Sequence, residues 1–319
     1  MTAKRVAILN DYQRVALTSA DWSGLSGRAD VTVFDHHIAD VDELVATLEP
    51  FEIVVAMRER TAFPRAVLER LPNLELLVTT GPRNAVIDAA DCAELGITYC
   101  GTGGSVHSTA ELTWALILAC ARHLPSEIDA VRNGGWMTTV GADLHGATLG
   151  LLGLGRIGGM VARVGQAFGM ELIAWSQNLT AERCAEVGAR LVRREELFAA
   201  SDFLTIHLVL SDRTRSLVGE AELRSMKPTA WLVNTSRGPI ADEEALARAC
   251  AEGWIAGAGL DAYGTEPLPA DHPFRTLPNV LPSPHIGYVS QNVYRIFFTD
   301  IVEDIAAFLD GSPVRVITP

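Results

Sequence analysis

Short runs of β-branched and aliphatic residues recur along the chain, separated by stretches whose apolar positions fall three or four residues apart. The runs fit strands covered on both faces and the longer stretches fit amphipathic helices, so their alternation predicts an α/β protein with parallel sheets. In the first third the predicted strands are RVAIL, DVTVF, EIVVA, LELLVTT and ITYC, with helical patterns around DELVATL, AVLERL and DAADCAEL. After Cys100, GTGGSVHST has the small and turn-forming residues of a crossing between domains, and AELTWALILACARH follows as a long apolar helix. A second series begins at ATLGLLGLG and continues through ELIAW, DFLTIHL, AWLVNTS, IAGAGLDA and NVLPSP. The tail VYRIFFTDIVEDIAAFLDG returns to helical spacing, and the closing VRVIT fits either a short strand or a loose end.

With 319 residues, 48% of them hydrophobic, the chain can bury a large core and favours two compact domains over one. Its 26 Lys and Arg against 39 Asp and Glu leave a formal charge of −13, which repels phosphate backbones and anionic bilayers. Neither nucleic acid nor membrane is an expected partner. Cys92, Cys100, Cys120, Cys184 and Cys250 form no CxxC pair and have no ligand-spaced His, so they read as core thiols in a reducing compartment, with no metal. The start, MTAKRVAILNDY, lacks the apolar stretch of a signal peptide, and TWALILACA between Glu111 and Arg122 is too short to cross a bilayer. A cytoplasmic protein is expected.

The run TLGLLGLGRIGGM places Gly153, Gly155 and Gly158 as GxGxxG after an apolar strand and before a helix. Such glycines allow a tight turn, a close backbone approach to a pyrophosphate and close helix–strand packing, which predicts a dinucleotide site. The amides of Arg156 and Ile157 would face the phosphates from the positive end of that helix. After the next strand, ELIAW, the expected acidic partner of the adenosine ribose is missing: Ser176, Gln177 and Asn178 stand there. Without a carboxylate nothing repels a 2′-phosphate, so either NAD or NADP is expected.

The stretch SDFLTIHLVLSDRTRSLVGEAELRSMKPTAWLVNTSRGPIADEEAL, followed by GLDAYGTEPLP and PSPHIGY, resembles the D-isomer-specific 2-hydroxyacid dehydrogenase family, in its glyoxylate/hydroxypyruvate reductase and phosphoglycerate dehydrogenase-like branches. The resemblance runs over nearly the whole chain. It implies two Rossmann-like doubly wound parallel-sheet domains: a discontinuous substrate domain over residues 1–101 and 287–319, and a dinucleotide-binding domain over 102–286, with the active site in a cleft. The implied reaction is hydride transfer between a nicotinamide and a small 2-keto acid or D-2-hydroxy acid.

Reducing a 2-keto acid requires a clamp for the carboxylate, a donor to polarise the ketone and a proton for the oxygen. Arg237, in NTSRG, has the planar fork suited to the first two tasks. The resemblance makes His285, in PHIG, the proton donor, and Glu266, in TEPLP, the carboxylate that orients its ring and favours its protonated form. By the same resemblance Asp261 faces the nicotinamide carboxamide, Thr235, Ser236 and Gly287 border the nicotinamide half, and His207 and Leu208 line the adenine. Val209 departs from the proline often found nearby. In the first domain TTGPRNAVID stands where the family holds the substrate carboxylate with loop amides, so Thr80 and Gly81 are expected contacts. Pro82 and Arg83 depart from the pattern there. Arg58, in AMRERT, resembles a substrate-facing arginine.

Glu266 argues against the formate-oxidising branch, and the short C-terminus against a phosphoglycerate enzyme with a regulatory domain. Family members usually form homodimers, and AELTWALILACARH is apolar enough on most sides to serve as the interface. The competing reading is a dinucleotide-sensing, corepressor-like binding module, since the family resemblance extends to such proteins.

Overall fold

The computed structural model describes residues 3–319, which divide into two compact units, one ending at Ser105 and resuming over Val289–Pro319, the other spanning Val106–Tyr288.

The first unit is built on β1 (Lys4–Ile8), β2 (Ala29–Val33), β3 (Ile53–Ala56), β4 (Leu76–Thr79) and β5 (Thr98–Gly101). They form a parallel sheet in the order β2-β1-β3-β4-β5, a doubly wound arrangement whose strand order reverses between β1 and β3. The central strands IVVA and LLVT are wholly buried, because crossover helices cover both faces of the sheet. Those helices start where the sequence supplies an acceptor for unsatisfied amides: Asp40 caps Val41–Leu48 and Asp88 caps Ala89–Glu94. The tail helix Gln291–Leu309 is capped by Ser290 and packs beside β4. The closing VRVIT does pair: Val316 bridges Cys100 in antiparallel sense, and the Ile317 amide donates to the Tyr99 carbonyl at 2.8 Å.

The second unit holds β6 (Thr148–Leu152), β7 (Glu171–Trp175), β8 (Arg190–Leu191), β9 (Phe203–Ile206), β10 (Trp231–Asn234), β11 (Gly257–Leu260) and β12 (Val280–Pro282). All pairings are parallel, in the order β12-β11-β10-β9-β6-β7-β8. The order reverses between β6 and β9, and ligands of such sheets bind outside the strand C-termini at that point. The two-residue β8 has no counterpart in the hydrophobic pattern because both its residues are exposed at a sheet edge.

The long helix His107–Ala121 lies within the second unit. It packs on β10, β11 and the helix Arg156–Ala167, burying Trp114, Leu116, Ile117 and Cys120 inside its own unit. Its apolar character serves that core, since a helix with little amphipathicity is a buried one. Exposed apolar surface lies further along, on Leu124, Ile128 and Val131 of the helix Leu124–Arg132 and on Trp136, Met137 and Val140 beyond it.

Candidate active site and dinucleotide site

The GxGxxG turn joins the end of β6 to the helix Arg156–Ala167, at the strand-order reversal. Gly153 has φ +103, and a Cβ there would lie 2.8 Å from the His207 carbonyl oxygen, so only glycine lets the turn pass the end of β9. A Cβ on Gly158 would lie 2.3 Å from the Gly153 carbonyl oxygen, which explains the third glycine by helix–turn packing. Gly155 is different: a Cβ there would meet nothing within 4 Å, and the residue is exposed. No neighbour in the chain requires glycine at that position, which matches a backbone kept open for an external group. The amides of Gly155, Arg156 and Ile157 have no partner among the described residues. A helix N-terminus with three unpartnered amides suits a pyrophosphate, so these residues fit the dinucleotide.

The other residues expected to contact the cofactor lie after the strand ends of the second unit. Ser176 is half-buried, while Gln177 and Asn178 are exposed after β7. His207 and Leu208 follow β9, and the His207 ring lies 3.0 Å from the Thr205 hydroxyl. Enclosure by the surrounding protein pushes its imidazole down to about 3, so the ring is neutral under ordinary conditions. Thr235 and Ser236 follow β10; the Thr235 hydroxyl meets that of Thr113 at 2.7 Å, and the Ser236 amide donates to Asn234 Oδ1 at 3.0 Å.

The three residues expected to carry the chemistry, Arg237, Glu266 and His285, stand after β10, β11 and β12. Arg237 is half-buried, and its Nη1 donates to the Ser236 carbonyl at 2.9 Å. Next to it, a Cβ on Gly238 would lie 2.2 Å from the Tyr263 carbonyl carbon, so glycine there permits the segment after β11 to press against the arginine loop. That segment carries Glu266. Glu266 Oε1 accepts from the Tyr263 amide at 2.9 Å, and Oε2 lies 2.7 Å from His285 Nδ1. A carboxylate fixed at one oxygen by backbone and at the other by the ring makes Nδ1 the protonated nitrogen and leaves Nε2 for chemistry.

His285 itself sits at φ +52, a left-handed conformation uncommon for a side-chain-bearing residue. Asp261 holds it there. One of its oxygens accepts from the Ile286 amide at 2.8 Å and from the Ser283 hydroxyl, and the other accepts from the Gly287 amide at 2.8 Å. Asp261 is 1% exposed, and burial raises its carboxyl above the ordinary range while these three donors oppose the rise. Two of its acceptor sites are spent on the PHIG turn and a third on Ser283 just before it, a structural task the motif did not suggest. Tyr263 was also missed. Its amide pins Glu266, and its hydroxyl donates to the carbonyls of Leu260 and Ser283, tying the β11 and β12 ends together. Only its place three residues before Glu266 hinted at this.

In the first unit, Arg58 follows β3 with φ +48. Its guanidinium lies over Gly81, where a Cβ would sit 1.9 Å from Nη1, and Nη1 donates to the Thr80 carbonyl at 2.9 Å. The loop amides are spent internally: Thr80 donates to the Ala56 carbonyl at 3.0 Å and Gly81 to the Thr102 hydroxyl at 2.7 Å. Asn84 is structural, its amide nitrogen donating to the Arg58 carbonyl at 2.7 Å and to the Thr79 hydroxyl at 2.9 Å.

Comparison with known proteins gives a consistent result. Residues 114–287 match the family model for the D-isomer specific 2-hydroxyacid dehydrogenase, NAD binding domain. The chain is 41% identical over 255 residues to a glyoxylate reductase of Aeropyrum pernix, covering 77% of this chain and 76% of that protein. It is 34% identical to a D-3-phosphoglycerate dehydrogenase of Archaeoglobus fulgidus, covering 86% of this chain and 52% of that one. Among solved structures, a phosphoglycerate oxidoreductase from Vibrio cholerae superposes with a TM-score of 0.92 at 39% identity, covering 97% of this chain and 100% of that one. These relatives bear the names of dehydrogenases and reductases, which favours turnover over a sensing module. The chain therefore belongs to the D-isomer specific 2-hydroxyacid dehydrogenase family and is an NAD(P)-dependent oxidoreductase.

Proposed function

We propose that the protein interconverts a small 2-keto acid and its D-2-hydroxy acid, with glyoxylate the first candidate because a glyoxylate reductase is among its relatives. The observation that carries this reading is the Glu266–His285 pair at 2.7 Å, held by Tyr263 and Asp261 beside the Arg237 loop. Bound at the Gly153–Gly158 turn, a nicotinamide dinucleotide supplies the hydride that reduces the keto carbon. Arg237 grips the substrate carboxylate and polarises the ketone with its fork. His285 delivers the proton from Nε2 to the substrate oxygen, and Glu266 stabilises the ring in its cationic form beforehand and keeps Nδ1 protonated afterwards. In the reverse direction His285 takes the proton. Arg58 is assigned to the substrate carboxylate by the same chemistry.

Two further readings accompany this one. The five buried thiols, none of them bridged, fit a reducing, cytoplasmic setting, and no helix among the described residues is long and apolar enough to cross a membrane. The exposed apolar residues from Leu124 to Val140 suit a homodimer interface better than the helix His107–Ala121, and a monomer in sedimentation velocity would contradict it.

The test is the loss of NADH or NADPH absorbance across a panel of 2-keto acids. Glyoxylate or another short member should oxidise either cofactor, with kcat/KM for the two differing by less than about a thousandfold, since Ser176, Gln177 and Asn178 offer no carboxylate against a 2′-phosphate. No turnover with any member would overturn the proposal.

A further inference from the structure

The glycine turn contains one feature that GxGxxG does not explain. Arg183, on the helix Ala181–Ala185, reaches back from beyond β7 and donates from Nε to the Leu154 carbonyl at 3.1 Å and from Nη2 to the Gly155 carbonyl at 3.3 Å. Its Nη1 is paired with Glu186. All three nitrogens of the guanidinium are thereby engaged. The Gly155 carbonyl also accepts the first bond of the following helix, from the Gly159 amide at 2.9 Å, but no other donor to Leu154 is present among the described residues.

The consequence follows from peptide geometry. In a planar trans peptide the C=O and the N–H of one unit point in opposite directions. With the Leu154 and Gly155 carbonyls drawn towards Arg183, the Gly155 and Arg156 amides must face the other way. Neither of these amides has a partner among the described residues. The same contact accounts for Gly159, the glycine of GRIGG outside the motif: a Cβ there would lie 3.1 Å from Arg183 Nη2.

Building on the dinucleotide reading above, we propose that Arg183 is a positioning residue that orients the Gly155 and Arg156 amides for the pyrophosphate, and that it acts equally on NADH and NADPH. A free guanidinium near Ser176–Asn178 would read a 2′-phosphate, and one acting through net charge alone would be replaceable by lysine. An Arg183 spent on two carbonyls is neither. The fork supplies two donors at fixed spacing, which an ammonium on a flexible stem does not reproduce.

The experiment measures dissociation constants of NADH and NADPH by nucleotide fluorescence in wild type, Arg183→Met, Arg183→Lys and Gly159→Ala, with kcat at saturating cofactor and thermal midpoints alongside. Both Arg183 variants should weaken both cofactors by a common factor of about tenfold, in the range expected for losing one charge-assisted bond's worth of organisation, with kcat within about twofold of wild type. Gly159→Ala keeps the arginine and crowds it, so it should weaken both cofactors by a few-fold, and it serves as the test if the Arg183 variants fail to fold. Selective loss of NADPH binding would make Arg183 a 2′-phosphate reader and overturn the proposal. Full affinity in Arg183→Lys would reduce its role to charge, and a lowered midpoint with unchanged affinities would reduce it to a structural tie; either overturns it. Failure of wild type to bind either cofactor would instead refute the dinucleotide reading on which the inference rests.

Discussion

Each unit of this protein carries a glycine turn at its strand ends and a buried aspartate in a helix-flanked core, and the two units use them in opposite ways. In the second unit the Gly153–Gly158 turn directs the Leu154 and Gly155 carbonyls to Arg183 and the helix, and leaves the Gly155, Arg156 and Ile157 amides without partners among the described residues. In the first unit the Thr80–Gly81 turn spends its amides on Ala56 and Thr102, and what lies over the glycine is the Arg58 guanidinium. One turn offers an anion oriented backbone dipoles and the other offers a formal charge. The aspartates differ similarly. Asp261 has both oxygens satisfied by the PHIG turn, whereas Asp304 receives Arg315 Nε on Oδ1 at 3.0 Å and has no partner on Oδ2 among the described residues. A glycine in a turn thus says only that space or an unusual φ is needed. The hydrogen bonds decide whether that space serves a ligand or a neighbouring side chain.

The sharpest way to break the comparison of the two turns is Arg58→Gln. If the first turn acts through charge, kcat/KM for the keto acid should fall by about tenfold to a hundredfold, the cost of a charge-assisted hydrogen bond, while NADH affinity stays at the wild-type value. An unchanged kcat/KM would mean that the loop backbone at Arg83 and Asn84 does this work.

A smaller effect separates the two aspartates. Burial raises the Asp304 carboxyl from its ordinary 3.8 to about 7, against the pull of Arg315. The folded state then holds a proton that the unfolded state releases between those values, so this group contributes stability that is fully present below about pH 4 and is lost as pH rises towards 7. Comparing thermal midpoints of wild type and Asp304→Asn at pH 5 and pH 8, the wild type should lose ground to the variant at the higher pH. Parallel behaviour of the two proteins would mean that Asp304 is ionised throughout.

Much of this was legible in the chain. Eleven of the strands coincide with predicted runs; the central ones are buried on both faces and so apolar, and the twelfth, Arg190–Leu191, escaped because an exposed edge need not be. The positions of Arg237, Glu266 and His285 at strand ends also followed from motif and order. What the pattern did not carry is who touches whom across elements. Composition makes the helix His107–Ala121 apolar on most sides, and it does not show that Trp114, Leu116, Ile117 and Cys120 are buried inside its own unit. Nothing in the spacing ties Arg183 to the carbonyls of Leu154 and Gly155, or the Tyr263 amide to Glu266. The helix packing and the Arg183 bonds join segments tens of residues apart, to which local periodicity is blind, and the Tyr263–Glu266 bond depends on the backbone geometry of a three-residue turn.

The central claim is that a dinucleotide turn and a separate Glu266-oriented His285 divide binding from proton transfer. His285→Ala tests it most directly, by NADH titration and single-turnover reduction of glyoxylate in the same preparation. NADH affinity should stay within about twofold of wild type while the rate of turnover drops by about two to four powers of ten, the range for losing a positioned acid. Near-normal turnover with intact NADH binding would remove His285 from the mechanism and contradict the account.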